Sequence, residues 1–183
     1  MATHLQKLFV ATLTLLFTTA ALADRTVEVT LIEHLPDEAR GWCIDAAGHQ
    51  AGAIMAGGVH GHTCYSYENK GIAVDQGFSE DGIAEGYFRL VAFDHCMSMA
   101  IDQADSWIAL TPCDGRIEQQ FKMTDEGRII SQANPELCIT LGTDVVFGGG
   151  GNPIHIIRTS TLDTCSEEKA IYQKWRLRDH KDW

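Results

Sequence analysis

Apolar residues come along this chain in short runs, some continuous and some alternating with polar positions. They occupy residues 26–32, 72–74, 87–91, 107–110, 154–157 and 175–177. Turn-forming pairs punctuate them: Gly57-Gly58, Asp81-Gly82, Asp114-Gly115, Asn134-Pro135 and Asn152-Pro153. Short strands at such spacing predict an all-β barrel or sandwich. Residues 33–40 and 166–170 are each expected to add a helical turn. The stretch Phe147 to Asn152 holds four consecutive glycines but lacks the Gly-Lys-Ser/Thr ending of a phosphate cradle, so it reads as a hairpin tip. A mostly apolar run, residues 8–17, follows a short start carrying Lys7 and precedes Ala21-Leu22-Ala23. That is the layout of a cleaved signal peptide over residues 1–23, too short for a membrane span. Residues 24–183 are then expected to form one domain in a secreted or periplasmic protein.

A repeat is laid over this pattern. Three times a cysteine pair is followed by Gln-x-aromatic: Cys43, Cys64 and Gln76-Gly77-Phe78; Cys96, Cys113 and Gln119-Gln120-Phe121; Cys138, Cys165 and Gln173-Lys174-Trp175. Such periods mark copies of one supersecondary unit, each unable to bury its apolar face alone. All six cysteines fall inside the repeat. Six cysteines allow 15 pairings. If the units are equivalent, each pairs its own two: Cys43–Cys64, Cys96–Cys113 and Cys138–Cys165. Export favours disulfides over thiols, and the absence of any Cys-x-x-Cys argues against zinc.

Charge narrows the partners. The formal net charge is −11, and removal of Lys7 with residues 1–23 makes it −12. An acidic surface repels nucleic acid and anionic lipid, so neither nucleic-acid binding nor membrane insertion is expected.

Three in-phase units of Cys-apolar-x, Cys and Gln-x-aromatic resemble the ricin B-type lectin family, over residues 41–179. The resemblance implies a β-trefoil: three pseudo-repeats with an intra-repeat disulfide each. It implies that Phe78, Phe121 and Trp175 pack where the lobes meet, although two of the three depart from the family's tryptophan. It also implies a carbohydrate partner, a glycan or polysaccharide, held by an aspartate two residues after the first cysteine. A polar residue and an aromatic platform before the second cysteine, and an Asn/Asp-Gln pair at the motif, complete such a site. The first lobe keeps most of this as Asp45, His60, His62, Asp75 and Gln76. The equivalents of Asp45 are Ser98 and Thr140, so one sugar site is expected and two lobes are read as structural. His60 and His62 share one face of a strand by their i, i+2 spacing. Their ionisation near pH 6 would make binding vary between pH 5 and 8.

Each residue has a plainer reading. Asp45 can cap a turn, Gln76 can be wholly structural, and the histidines can be a solvated pair. Catalytic residues, metal and cofactor are not expected, because Gly-x-Ser-x-Gly and His-Glu-x-x-His are both absent. The alternative to a lectin is a protein-interaction or inhibitor trefoil, with loops on a rigid barrel meeting a protein partner.

Overall fold

The computed structural model describes residues 24–68 and 71–179. The signal-peptide reading of residues 1–23 lies outside the described residues. Twelve strands carry the fold. The first lobe holds β1 (Thr26–Leu31), β2 (Trp42–Ala46), β3 (Val59–Thr63) and β4 (Phe78–Ser79). The second holds β5 (Arg89–Leu90), β6 (His95–Met99), β7 (Ser106–Pro112) and β8 (Phe121–Met123). The third holds β9 (Ile129–Ser131), β10 (Leu137–Phe147), β11 (Ile156–Thr164) and β12 (Trp175–Arg178). Two short helices, α1 (Glu80–Ala84) and α2 (Ala170–Gln173), lie between strands.

All strand pairs are antiparallel, and they close a ring. Strand β1 pairs with β4 and with β12, β4 with β5, and β8 with β9. The bridges Tyr87–Gln120 and Arg128–Lys174 join the remaining neighbours. The other six strands form three hairpins, β2–β3, β6–β7 and β10–β11, each stapled by one disulfide. Strand β11 also pairs with β3 and with β7, so the hairpins form a cap on the barrel. This is a β-trefoil. Closure removes the exposed sheet edges that would otherwise invite aggregation.

The disulfides are Cys43–Cys64, Cys96–Cys113 and Cys138–Cys165, across sequence separations of 21, 17 and 27 residues. The four-glycine segment is the tip of the β10–β11 hairpin and accounts for the longest separation. Phe78, Phe121 and Trp175 are all buried in one core with Trp42, Phe88 and Leu90. Phe88 links the lobes by edge contacts, 6.4 Å from Phe78 and 6.1 Å from Phe121 between ring centroids. The Trp175 indole Nε1 donates to the Ile139 carbonyl at 3.0 Å, which satisfies the one polar atom of a buried ring.

Local expectations fare less evenly. Residues 33–40 form bends and turns rather than a helical turn. Pro36 biases Leu35 away from helical geometry, and Gly41 leaves the segment at φ +82°. Residues 72–74 form no strand. They lead into a turn in which the Gln76 N–H donates to the Ala73 carbonyl at 3.0 Å. The helix expected over 166–170 begins only at Ala170, the end of that span.

Candidate functional site

The β2–β3 hairpin sets Asp45 opposite His60 and Cys43 opposite His62. Residues facing each other across an antiparallel pair share a face, so Asp45, His60 and His62 rise together. The two histidine rings stack with centroids 5.8 Å apart. His62 Nδ1 lies 2.8 Å from the Thr63 carbonyl oxygen. A carbonyl only accepts, so Nδ1 carries the proton and Nε2 is left as an acceptor. The same nitrogen is 3.6 Å from Asp45 Oδ2.

The motif glutamine does the same work in all three lobes. Gln76 Oε1 accepts from the Tyr65 N–H at 3.1 Å, while Nε2 donates to the Thr63 carbonyl at 3.1 Å and to Asp45 Oδ2 at 2.7 Å. Gln119 accepts from the Asp114 N–H at 2.9 Å and donates to the Pro112 carbonyl at 2.8 Å and to Thr111 Oγ1 at 2.8 Å. Gln173 accepts from the Ser166 N–H at 3.0 Å and donates to the Thr164 carbonyl and to Thr140 Oγ1, each at 2.9 Å. Each amide thus clamps the chain on both sides of the second cysteine. Asp75 and Gln76 are fully buried and Asp45 is 1% exposed. The Asp75 carboxylate accepts from the Gln50 N–H, which ties down the loop between β2 and β3.

Beside this clamp opens a cavity of about 680 Å³. One side comes from the first lobe: His49, Gln50, His62, Tyr65 and residues 71–74. The other side is the third-lobe hairpin, with Gly149, Gly150, Gly151, His155 and Ile157. Three rings form its wall. His62 stacks on Tyr65 at 4.9 Å, and His155 meets His62 at 5.4 Å and Tyr65 at 4.9 Å edge-on. The hairpin is held across the lobes by β3–β11 pairing and by Arg40, which donates to the carbonyls of Pro153 at 2.9 Å and Ile154 at 3.0 Å. A side chain at Gly151 would strike the His155 ring, so glycine there lets the tip lie against it.

Of the five first-lobe candidates, His62 lines the cavity, and Asp45, His60, Asp75 and Gln76 lie behind it or beside it. Tyr65 and His155 were not singled out from sequence. Tyr65 directly follows the second cysteine, which is a local signal. His155 had none, because its position depends on a hairpin reaching over from another lobe.

The electrostatics follow from burial. Asp45 is pushed well above the usual carboxylate range by desolvation first and by the charge of Asp75 second, against the donation from Gln76. Asp75 is raised by desolvation. The Tyr65 phenol is raised by desolvation and by both carboxylates. Burial lowers His60, and it lowers His62 to about 4. The expected titration of His62 between pH 5 and 8 is therefore corrected: that ring is neutral throughout the range. Among the described residues, no group of three or more His, Cys, Asp or Glu could hold a metal ion. No described helix is long and apolar enough to cross a membrane.

The sequence matches no protein-family model and no curated protein. Several solved structures match in shape. Agglutinin from Abrus precatorius aligns at TM-score 0.58 and 14% identity, over 88% of this chain and 51% of its own. The chain thus spans about half of that agglutinin. The β-trefoil lectin of the Vibrio vulnificus hemolysin/cytolysin, solved with N-acetyl-D-lactosamine bound, aligns at 0.55 and 16%, over 86% of this chain and 96% of its own. The earthworm R-type lectin C-half, in complex with GalNAc, aligns at 0.54 and 13%, over 85% and 98%. The fold is that of the ricin B-type lectin trefoils. At these identities the likeness is one of fold alone.

Proposed function

We propose that this protein is an exported, non-enzymatic carbohydrate-binding trefoil whose site is the cavity between the first lobe and the third-lobe hairpin. The observation that carries this reading is the wall of His62, Tyr65 and His155 in a cavity of about 680 Å³. A hexose offers a face of C–H groups to such rings and a rim of hydroxyls to backbone and imidazole acceptors. The bound glycans of the trefoil lectins with this fold support the reading. Asp45, Asp75 and Gln76 act from beneath, fixing the wall and setting its potential, while His62 and Tyr65 meet the sugar. Residues 1–23 act as the export signal, and the mature chain works outside the cytoplasm as a secreted or periplasmic protein.

A protein-interaction role is the second reading. Val145, Val146, Phe147 and Ile154 stand exposed around the hairpin tip, Phe147 at 77%. A glycan array probed with the oxidised secreted protein, beside Tyr65→Ala, separates the two. Glycan capture lost in Tyr65→Ala supports the cavity. Capture that survives the substitution moves the site elsewhere, and no capture at all favours the protein partner.

A further inference from the structure

We propose that the cavity selects a sugar bearing a free protonated amine, a hexosamine unit, over its N-acetylated, neutral or acidic counterparts. This rests on the carbohydrate reading above and names the ligand class of that site. Three observations converge. The described residues that line the cavity include no Lys, Arg, Asp or Glu, and its ionisable lining is His49, His62, His155 and Tyr65. The wall includes the Tyr65 ring, and an aromatic face of that kind attracts a cation brought within about 6 Å. Behind the wall lie two buried carboxyl groups, Asp45 and Asp75, and one oxygen of each, Oδ1, has no hydrogen-bond partner.

An unsatisfied buried carboxylate oxygen is costly unless something compensates it. An ammonium in the cavity offsets the charge of these groups, that of Asp45 through the His62 ring. The closeness of the coupling is visible at His62, whose Nδ1 is 3.6 Å from Asp45 Oδ2. It is visible again at Tyr65, whose phenol feels both carboxylates. An acidic sugar cannot draw the proton from these carboxyls and gains nothing from them, on a chain that is already strongly acidic.

The other charged groups around the site do not reverse this. Arg40, near His62, is engaged by Glu38: its Nε donates to Oε1 at 2.7 Å and Nη2 to Oε2 at 2.8 Å. Glu28, whose charge also raises Asp45, is bound by Arg178 at 2.9 Å. His49 lines the cavity and lowers the Asp75 carboxyl, but burial, the larger cause, leaves it raised. His60, His62 and His155 complete the ring of titratable neighbours, and a neutral His62 adds no repulsion. Binding of an ammonium favours the ionised form of Asp45, so a proton leaves that carboxyl as the amine enters.

The test is calorimetric titration of the oxidised protein at pH 6, well below the roughly 7.7 of a free α-amino group. The four ligands are glucosamine, N-acetylglucosamine, glucose and glucuronic acid. Glucosamine is expected to bind about tenfold more tightly than N-acetylglucosamine or glucose, within the range of one desolvated cation–ring contact. Glucuronic acid is expected to show no binding. Titration in two buffers of different ionisation enthalpy should reveal proton release with glucosamine alone. Asp45→Asn, and independently Tyr65→Leu, should each remove the preference for the amine, with melting curves as the check on folding. Equal affinity for glucosamine and N-acetylglucosamine overturns this inference and leaves the carbohydrate reading standing. Binding of none of the four sugars also overturns this inference, and the glycan array then decides the carbohydrate reading.

Discussion

The first and third lobes make the same glutamine clamp but close it on different groups. In the third lobe Gln173 donates to the Thr140 hydroxyl. In the first, Gln76 donates to the Asp45 carboxyl at the equivalent position. The clamp needs only an acceptor there, and a neutral hydroxyl serves. The second lobe makes the point again, with Ser98 at that position and Thr111 supplying the acceptor. Asp45 is therefore more than the architecture requires. A buried carboxyl with one unpartnered oxygen, repelled by Asp75, works against stability. It lies at the one clamp that backs a ring-walled cavity.

The architecture itself should respond alike in every lobe. Replacing a cysteine pair with alanine in any one lobe is expected to cost about 3–4 kcal/mol, since loops of 17 to 27 residues are released in the unfolded chain. Denaturant melts of the three double variants measure this. A first-lobe bridge that could be removed without cost would mean that lobe is held by something other than the common scaffold.

The glutamines should come next. Alanine at Gln76, Gln119 or Gln173 leaves a backbone N–H beside the second cysteine without its acceptor, which costs about 1–3 kcal/mol. The expected loss is similar for the three at pH 5. A marked gap between Gln76 and the other two would show that the first lobe had traded structure for binding.

How far this was legible in the sequence depends on the range of the contacts. The threefold phase of Cys, Cys and Gln-x-aromatic placed the disulfides and the core positions Phe78, Phe121 and Trp175, because each is repeated by the same local unit. The i, i+2 spacing placed His60 and His62 on one face. What symmetry does not repeat was not legible. His155 reaches the site only because β11 pairs with β3 and the four-glycine tip folds against it. The burial of Asp45 and Asp75, and hence their raised pKa values, depends on contacts distant along the chain, such as the Gln50 N–H that meets the Asp75 carboxylate. A strand was expected at 72–74 from its apolar residues, but Gly71 and Gly77 flank it and its backbone serves the turn that holds Gln76.

A smaller effect should come from borrowing the third lobe's solution. Asp45→Thr keeps an acceptor for Gln76 and removes the buried carboxyl. The sign with pH is fixed by the raised pKa. Folded Asp45 keeps its proton above the roughly 3.9 of an unfolded aspartate. Its contribution to stability is therefore full below about pH 4 and is lost as pH rises toward the folded value. Glu38 has the opposite tendency: burial raises it, but the hydrogen bonds from Arg40 and Thr63 hold it lower overall. That contribution is common to both proteins and cancels in the comparison. Asp45→Thr is thus expected to match the wild type near pH 4 and to exceed it by about 1–3 kcal/mol at pH 8, the range for relieving a buried unsatisfied polar group. Thermal melts across that interval decide it, and parallel profiles for the two proteins would show that Asp45 is not strained.

The smallest effect should separate two histidines of a single strand. His62 lines the cavity and stacks on Tyr65, whereas His60 lies two pairs back along β3, opposite Asp45. Sequence reasoning gave both to the site. The cavity geometry gives it His62, so His60→Ala should change sugar affinity by no more than about twofold, below the roughly 0.5 kcal/mol of even a weak ring contact. His62→Ala should weaken binding several-fold, since it removes both a wall and the neighbour that Tyr65 stacks on. Amide chemical-shift titration of the two variants with the same glycan compares them directly. Equal losses would extend the site along β3, and the carboxyl of Asp45 would then have to be counted among the groups that meet the ligand rather than those that act through the wall.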